Sequence, residues 1–442
     1  MTQSSPADRR VWLLIGALAL LAALFIPFTQ FVLGVEYTYT LRVVALGGAL
    51  LGVVAGGLGC FAVLRRESLI GDALSHAALP GVGIAFLIAG RELGALLVGA
   101  GIASWLGVYF IQALTRTTRL KQDAAMGIVL ASWFAAGIAL LAYIQSLPTA
   151  GQAGLNTFIF GQAAAIVERD VQLIALVGLA AFALVAALWK EFKLVTFDAE
   201  FASANGLRVG FLNLLLSTLI VIAIVLGLQL AGVILMVGLL IAPGIAARQW
   251  THKLEQMIIL AAVFGAFAGG AGAVLSAVEA NLPTGPMIIV VAFVLVMLSI
   301  AFAPGRGLVW MLLRRRADRR RFAQQQMLRD LYKYARDHGG PAHPVPEAFL
   351  AGVRGSAAYS GLAQLERRGW VRPEDDCWVL TPAGAQAAAE DAHSQRLWDI
   401  YRQFSDALAL PTLTEDRQRD IHDSLPPEAI ERLERKLKEL DG

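Results

Sequence analysis

The sequence predicts an all-α polytopic membrane protein of about 8–10 transmembrane helices, followed by a small cytoplasmic domain with the element order of a winged helix. Three observations predict it. Of the 442 residues, 57% are hydrophobic and only 16% are charged, and the apolar residues come in unbroken blocks rather than 3.6-residue stripes. Charge is then unevenly placed, with 42 of the 71 charged side chains lying after residue 310, so the overall net charge of +3 describes neither part. Finally, Lys and Arg recur in every second connection between apolar blocks, as in a chain threaded back and forth across a membrane.

A helix needs about 20 predominantly apolar residues to cross roughly 30 Å of hydrocarbon. Candidate spans lie near 11–33, 41–64, 73–89, 93–114, 124–145, 169–189, 211–228, 230–247, 256–279 and 286–303. The third is short enough to be a broken helix, and the seventh and eighth divide only around Leu228–Leu230. The N-terminal MTQSSPADRR and its apolar run are expected to form an uncleaved first span, because no small-x-small cleavage site precedes the next apolar block. Basic loops (Arg9 and Arg10; Arg65 and Arg66; Arg116, Arg119 and Lys121; Lys190, Lys193 and Arg208; Arg248 and Lys253; the RRRADRRR cluster) alternate with the Lys/Arg-poor GVEYTY, GRE, QSLPTAGQAG and EANLPTG. The positive-inside rule places the basic loops and both termini in the cytoplasm. The chain thus divides into a transmembrane domain at 1–310, a basic juxtamembrane linker at 311–325 and a cytoplasmic domain at 326–442. The linker's arginines suit anionic lipid headgroups.

In the tail, QQQMLRDLYKYARDH reads as a helix, and EAFLAGVRGSAAYSGLAQLERRGWV as two helices ending at Gly369 before a strand. PEDDCWVL gives a turn and a returning strand, TPAGAQ opens a helix at a Thr-Pro N-cap, and PPEAIERLERKLKEL closes the chain as a helix.

Several function classes drop out. Cys60 and Cys377 lie in different parts of the chain and make neither a disulfide framework nor a zinc ribbon. No Walker-type phosphate loop is present, so any ATP-driven motor is on another chain, and no nucleophile–base constellation appears. Glu92 and Glu279 fall at outer span ends, where a solvated carboxylate is the ordinary reading. Gln229, Asn213 and Asn156 suit helix bridging. His252, His338, His343, His393 and His422 fall in loop or soluble regions as ordinary surface residues.

What remains is GDALSHAALPG, residues 71–81. A charge at the bilayer centre costs roughly 2.5–3.5 kcal/mol on insertion scales, so Asp72 and His76 call for an explanation. Four residues apart, they share one helix face. A carboxylate oxygen and an imidazole nitrogen there are two good ligands for a borderline divalent cation such as manganese, iron or zinc. Pro80 removes the N–H that would bond the His76 carbonyl, favouring a bend, and Gly71, Gly81 and Gly83 let neighbouring helices approach. A second reading stays open: Asp72 caps a helix near Arg65 and Arg66, and His76 is hydrogen-bonded in the core.

The other informative stretch is KLVTFDAEFASANGLRVG, residues 193–210. From Thr196 as N-cap, a short helix would carry Phe197, Phe201, Ala204 and Leu207 on one face and stop near Gly206. It is either an interfacial float or a docking knob for a cytoplasmic partner; Asp198 and Glu200 would be repelled by an anionic membrane surface and favour docking.

Together these pieces resemble the permease family of bacterial ABC importers for manganese, zinc and iron. GDALSHAALPG matches the hallmark after that family's second span, LNTFIFGQ its leucine-phenylalanine-glycine segment and FDAEFASANG its coupling-helix motif. LAGVILMVGLLIAPGIAA resembles its late span, and LPTGPMIIVV the outer turn before the last one. The five occur in the family's order over roughly residues 15–305; Asn281 departs where relatives carry an acidic residue before Leu-Pro. The resemblance implies an import permease of the inner membrane, with no permanently bound cofactor. It would carry a manganese, zinc or iron ion by alternating access, driven by ATP on partner ATPase subunits. A periplasmic or lipoprotein metal-binding protein would deliver the ion, and a second permease protomer, identical or paralogous, would complete the pair. Asp72 and His76 become the metal-contacting pair, and Asp198, Phe201 and Gly206 the seat on the ATPase.

The tail resembles the diphtheria-toxin-repressor class of winged helices, whose HRLWE-type helix reads QRLWDIY here, with Gln395 in the His position and Asp399 in the Glu position. The lost imidazole speaks against metal sensing. A balance of 21 basic and 21 acidic residues after residue 310 speaks against DNA binding, although Arg354, Arg367 and Arg368 lie near the candidate recognition helix. A regulatory or assembly domain is expected. The alternatives are a permease for a metal chelate, with Asp72 and His76 as a gate, and a membrane-bound metal-responsive DNA-binding regulator.

Overall fold

The computed structural model describes residues 6–32, 34–67, 69–90, 92–147, 166–279, 282–304, 307–355, 357–408, 410–411 and 421–441. The chain divides into two compact units, 1–308 and 309–442. LNTFIFGQ, Asn156 and Asn281 lie outside the described residues.

Every element of unit one among the described residues is a helix. Its elements are α1 (Pro6–Phe31), α2 (Tyr39–Leu64), α3 (Ile70–Ala89), α4 (Leu93–Thr117), α5 (Gln122–Ser146), α6 (Glu168–Ala187), α7 (Trp189–Phe197), α8 (Ala199–Ala204), α9 (Val209–Trp250), α10 (Leu254–Ser276) and α11 (Thr284–Phe302). Among the described residues, nine of these helices are long and apolar enough to cross a membrane. The two spans expected at 211–228 and 230–247 are legs of α9, whose 42 residues are interrupted only at Gly232, with φ 76° and ψ 170°. That break lies just beyond the expected one. A straight helix would separate Gly227 from Met236 by about 13 Å. Instead, a Cβ on Gly227 would stand 2.1 Å from the Met236 sulfur, so the chain doubles back there. A side chain is disfavoured at this φ, and glycine is the residue that permits the turn. The third span is a continuous 20-residue helix from Ile70, despite Pro80 within it, so Gly71 and Asp72 belong to the helix rather than to the loop before it.

α2 sits at the centre and is mostly buried. The reason is its glycines, which repeat every four residues. A Cβ on Gly48 would meet the Gly269 carbonyl at 2.8 Å, one on Gly52 the Gly265 carbonyl at 2.0 Å, and one on Gly56 the Ala261 carbonyl at 2.7 Å. Helices α2 and α10 therefore touch main chain to main chain, the small-residue packing that replaces the hydrophobic drive lost in lipid. α3 and α4 meet the same way at Gly81 and Gly99. α1 is peripheral and leans on α10 through an edge-to-face Phe25–Phe267 contact, centroids 6.0 Å apart.

Unit two begins with most of α12 (Leu308–His338). It continues through β1 (Val345–Pro346), α13 (Glu347–Arg354), α14 (Ala357–Arg367), β2 (Val371–Glu374) and β3 (Cys377–Leu380). The three short strands form an antiparallel sheet in the order β1-β3-β2. Asp375, with φ 52°, makes the tight β2–β3 turn that PEDDC promised. Met327, Leu331, Leu350, Leu362, Leu365 and Leu380 fill the core between helices and sheet. Thr381 caps α15 (Pro382–Phe404) by accepting from the Gly384 amide at 3.1 Å. Leu397, Trp398 and Tyr401 of α15 form a second small core with α16 (Ile421–Ser424) and α17 (Pro427–Asp441).

Candidate functional site

The corner that launches α3 is set by an unusual helix end. Beyond α2, the Arg66 amide bonds the Val63 carbonyl and the Glu67 amide the Ala62 carbonyl, a Schellman closure. The left-handed residue is Arg66, φ 60°, where glycine is normally found, at a cost of about 1 kcal/mol. The turn points Glu67 inward and starts α3 three residues later.

On α3, the His76 Nε2 lies 3.2 Å from Asp72 Oδ1, and the two side chains are 19% and 39% exposed. The spacing therefore brings the pair together as the sequence suggested. Asp72 falls in the first turn of α3, but the N-cap is Leu69 and no side chain caps the helix. Asp72 spends its carboxylate on His76, not on the cap. The imidazole stands edge-on to Phe134 of α5, centroids 4.8 Å apart. Its Nδ1 is buried and has no hydrogen-bond partner among the described residues, so one ring nitrogen is left unspent. On the same helix, Gly137 of α5 packs against Pro80; a Cβ there would be 2.6 Å from Leu79 Cβ and 3.1 Å from the Pro80 nitrogen. Among the described residues no cluster of three or more His, Cys, Asp or Glu forms, and the pair supplies two ligands by itself.

The loop segment differs from expectation in its start and its faces. Thr196 lies in the last turn of α7 with its hydroxyl bonded back to the Phe192 carbonyl at 2.6 Å, so it caps nothing. Asp198 is the N-cap of α8 and accepts from the Phe201 amide at 2.8 Å. A carboxylate there also faces the positive end of the helix dipole, an advantage the hydroxyl of Thr196 lacks. Gly206, φ 81°, stops the helix as expected: its amide bonds the Ser203 carbonyl, and the Leu207 amide bonds that of Ala202. Ala202 is the residue turned inward, while Phe197 and Phe201, each 55% exposed, stand outward with Asp198 and Glu200.

Elsewhere, Glu92 and Glu279 are exposed at helix ends. Asn213 leaves its carbonyl oxygen buried and unpartnered rather than bridging helices. His338 stacks on Tyr334, centroids 4.1 Å apart, with His343 next to it. Two groups went unnoticed in the sequence. One is Phe134, which no pattern distinguishes from any lipid-facing aromatic. The other is Glu67, 2% exposed, which accepts from Arg65 and from Gln122 Nε2, each at 2.7 Å. Its signal was legible: a single carboxylate in a short basic loop between two spans.

Residues 36–303 match the model of the ABC 3 transport family. The chain is 40% identical over 397 residues to the manganese transport system membrane protein MntC of Bacillus subtilis, covering 89% of this chain and 91% of that one. It is 46% identical over 279 residues to the zinc transport system membrane protein TroC of Treponema pallidum, covering 63% of this chain and 94% of that one. A solved structure, PsaBC from Streptococcus pneumoniae in complex with Fab, superposes with a TM-score of 0.55 at 31% identity, covering 66% of this chain and 99% of that one.

Proposed function

We propose, since the chain belongs to the ABC 3 transport family, that it moves a bare divalent transition-metal ion across the inner membrane along a path through Asp72 and His76. It is a transporter permease, with ATP hydrolysis in a separate subunit. The names of its relatives point to manganese and zinc as cargo, and the Asp/His chemistry would accept iron as well.

The observation that carries the path is the paired carboxylate and imidazole on α3, with one imidazole nitrogen buried and unspent. Two ligands are few enough for release: a closed four-ligand cage would hold the ion, whereas an incomplete set exchanges it. Remaining positions would be filled by water or by the second permease protomer. In the cycle we infer, ATP binding and hydrolysis in the partner subunits moves the segment around α8, the spans rearrange, and the pair faces one side at a time. The protruding Phe201, held by the Asp198 cap and the Gly206 stop, supports that segment as the seat on the ATPase. A binding protein outside the membrane would deliver the ion, and the basic loops and both termini would face the cytoplasm.

For unit two we read a winged helix with an assembly or regulatory role, supported by the helix–helix–strand–strand order and the three-stranded antiparallel sheet. DNA recognition finds little support. Arg354 is spent on Asp330 at 2.6 Å and on Gln326, and Arg368 lies over Trp370.

Uptake of radiolabelled manganese and zinc into proteoliposomes holding the permease and its ATPase tests the path. His76→Ala and Asp72→Asn should each reduce uptake about tenfold or more while the ATPase still co-purifies. Normal uptake by both variants would sink the assignment.

A further inference from the structure

A cavity of about 230 Å³ opens among the ends of α2, α4, α5 and the first leg of α9. Ile70 reaches it, but Asp72 and His76 do not line it, and the path above makes no use of it. Its polar wall includes Arg65, Gln112, Arg116, Gln122, Asn213 and Ser217.

The charge inventory decides what such a wall would hold. Glu67 is the carboxylate beside it; its Oε1 accepts from Arg65 Nη2 and Gln122, and its Oε2 is buried with no partner among the described residues. Arg65 is thereby only half used, because its Nη1 is buried with no partner. Arg116 makes no ion pair among the described residues; its guanidinium lies against the backbone of α9, so close that a Cβ on Gly210 would stand 2.1 Å from Nη2. Two guanidiniums against one carboxylate, which of the two only Arg65 engages, leave the wall net positive, so it repels a cation and attracts an anion. A buried donor left unpaired destabilises the site, and an oxyanion would relieve it. Guanidinium groups match phosphate geometry, two N–H bonds to two oxygens. A volume of about 230 Å³ is far above the roughly 10–15 Å³ that one water needs and accommodates a phosphate group and its solvent. Its place at the basic helix ends is the depth of lipid headgroups, where basic pockets between spans take anionic lipids.

We propose that this cavity is a binding site for a phosphate-bearing anion, either the phosphodiester of an anionic phospholipid or free phosphate. An occupant would tie the ends of α2 and α4 to the start of α9.

The test uses the delipidated full-length chain in detergent, titrated with phosphatidylglycerol, with phosphatidylcholine as the zwitterionic control, and with inorganic phosphate at matched ionic strength. Native mass spectrometry and Tm report binding. Wild type should bind phosphatidylglycerol or phosphate with a raised Tm, and Arg116→Gln should weaken that Kd about tenfold or more. Gly210→Ala displaces the same guanidinium while keeping its charge, and gives the same reading should Arg116→Gln not fold. Binding of phosphatidylglycerol alone assigns a lipid, and binding of phosphate alone assigns a free anion. If wild type binds neither, or the variants bind as wild type does, the proposal is overturned.

Discussion

Replacing Gly52 by alanine tests the main-chain contact on which the centre of unit one depends. The new Cβ would lie 2.0 Å from the Gly265 carbonyl oxygen and 2.3 Å from its carbon. An ordinary C···O contact is about 3.3 Å, so α2 and α10 must part by about 1.3 Å. A gap of 0.5–1 Å already loses roughly a quarter to a half of each dispersion contact, and here no rotamer on either side relieves the strain. Overpacking of this kind costs about 3 kcal/mol, the upper end of its usual range. Alanine returns about 1 kcal/mol through helix propensity. The net loss is about 2 kcal/mol, roughly a thirtyfold drop in the folded-to-unfolded ratio. Reversible unfolding of the full chain in mixed micelles would measure it, against Gly127→Ala, where nothing stands within 4 Å of the new methyl. If the two variants agree within about 0.5 kcal/mol, the helices do not touch as described and the argument fails.

Other consequences are open to measurement. Asp198→Ala removes the α8 cap, worth about 1 kcal/mol locally, and should lower metal imported per ATP hydrolysed about threefold while the Tm of the whole chain is unmoved; an unchanged ratio would dismiss the coupling assignment. Phe201→Asp should release the ATPase subunit in co-purification, and full retention of the subunit would mean that this aromatic is not part of the seat. Gly384→Val places a side chain against the Trp370 carbonyl, 1.9 Å from a Cβ at that position, so limited proteolysis should open unit two about tenfold faster and leave the spans intact. Spin labels at the exposed Leu46 and Ile259, on α2 and α10, should keep their separation within about 1 Å through the ATP cycle, and a larger change would show that the pair slides.

Most of the membrane architecture was legible because hydropathy reports directly on the solvent a helix meets. The spans of α2, α4, α5, α10 and α11 were placed within a few residues. The α9 turn was placed too early because Gln229 is the one polar side chain in that apolar run, and only the backbone reveals that Gly232 carries the break. That Asp72 and His76 share a face was recoverable from spacing, since i, i+4 fixes it, whereas spacing alone left a metal role and a capped helix end both open. The exposure of Phe197 and Phe201 was not, because a six-residue helix has too few turns for periodicity to say which side is covered. Nor does the sequence say which partner a glycine faces. Gly81 was read as allowing close approach, but that Gly99 supplies the opposing surface follows from tertiary packing.

Helices in contact through glycine have no side chains between them to repack, and this divides unit one into parts that must travel together. α2 is fused in this sense to α10 at three levels, and to the second leg of α9 where Gly59 faces the Leu240 carbonyl; α3 is fused to α4. Between these two bodies the bond is softer: Gly71, one residue before Asp72, rests on the side chains of Val237 and Leu240, with the nearest backbone atom 3.6 Å away. A seam lined by rotatable side chains is where packed helices slip. The fold therefore leaves a deformable joint beside Asp72 and His76.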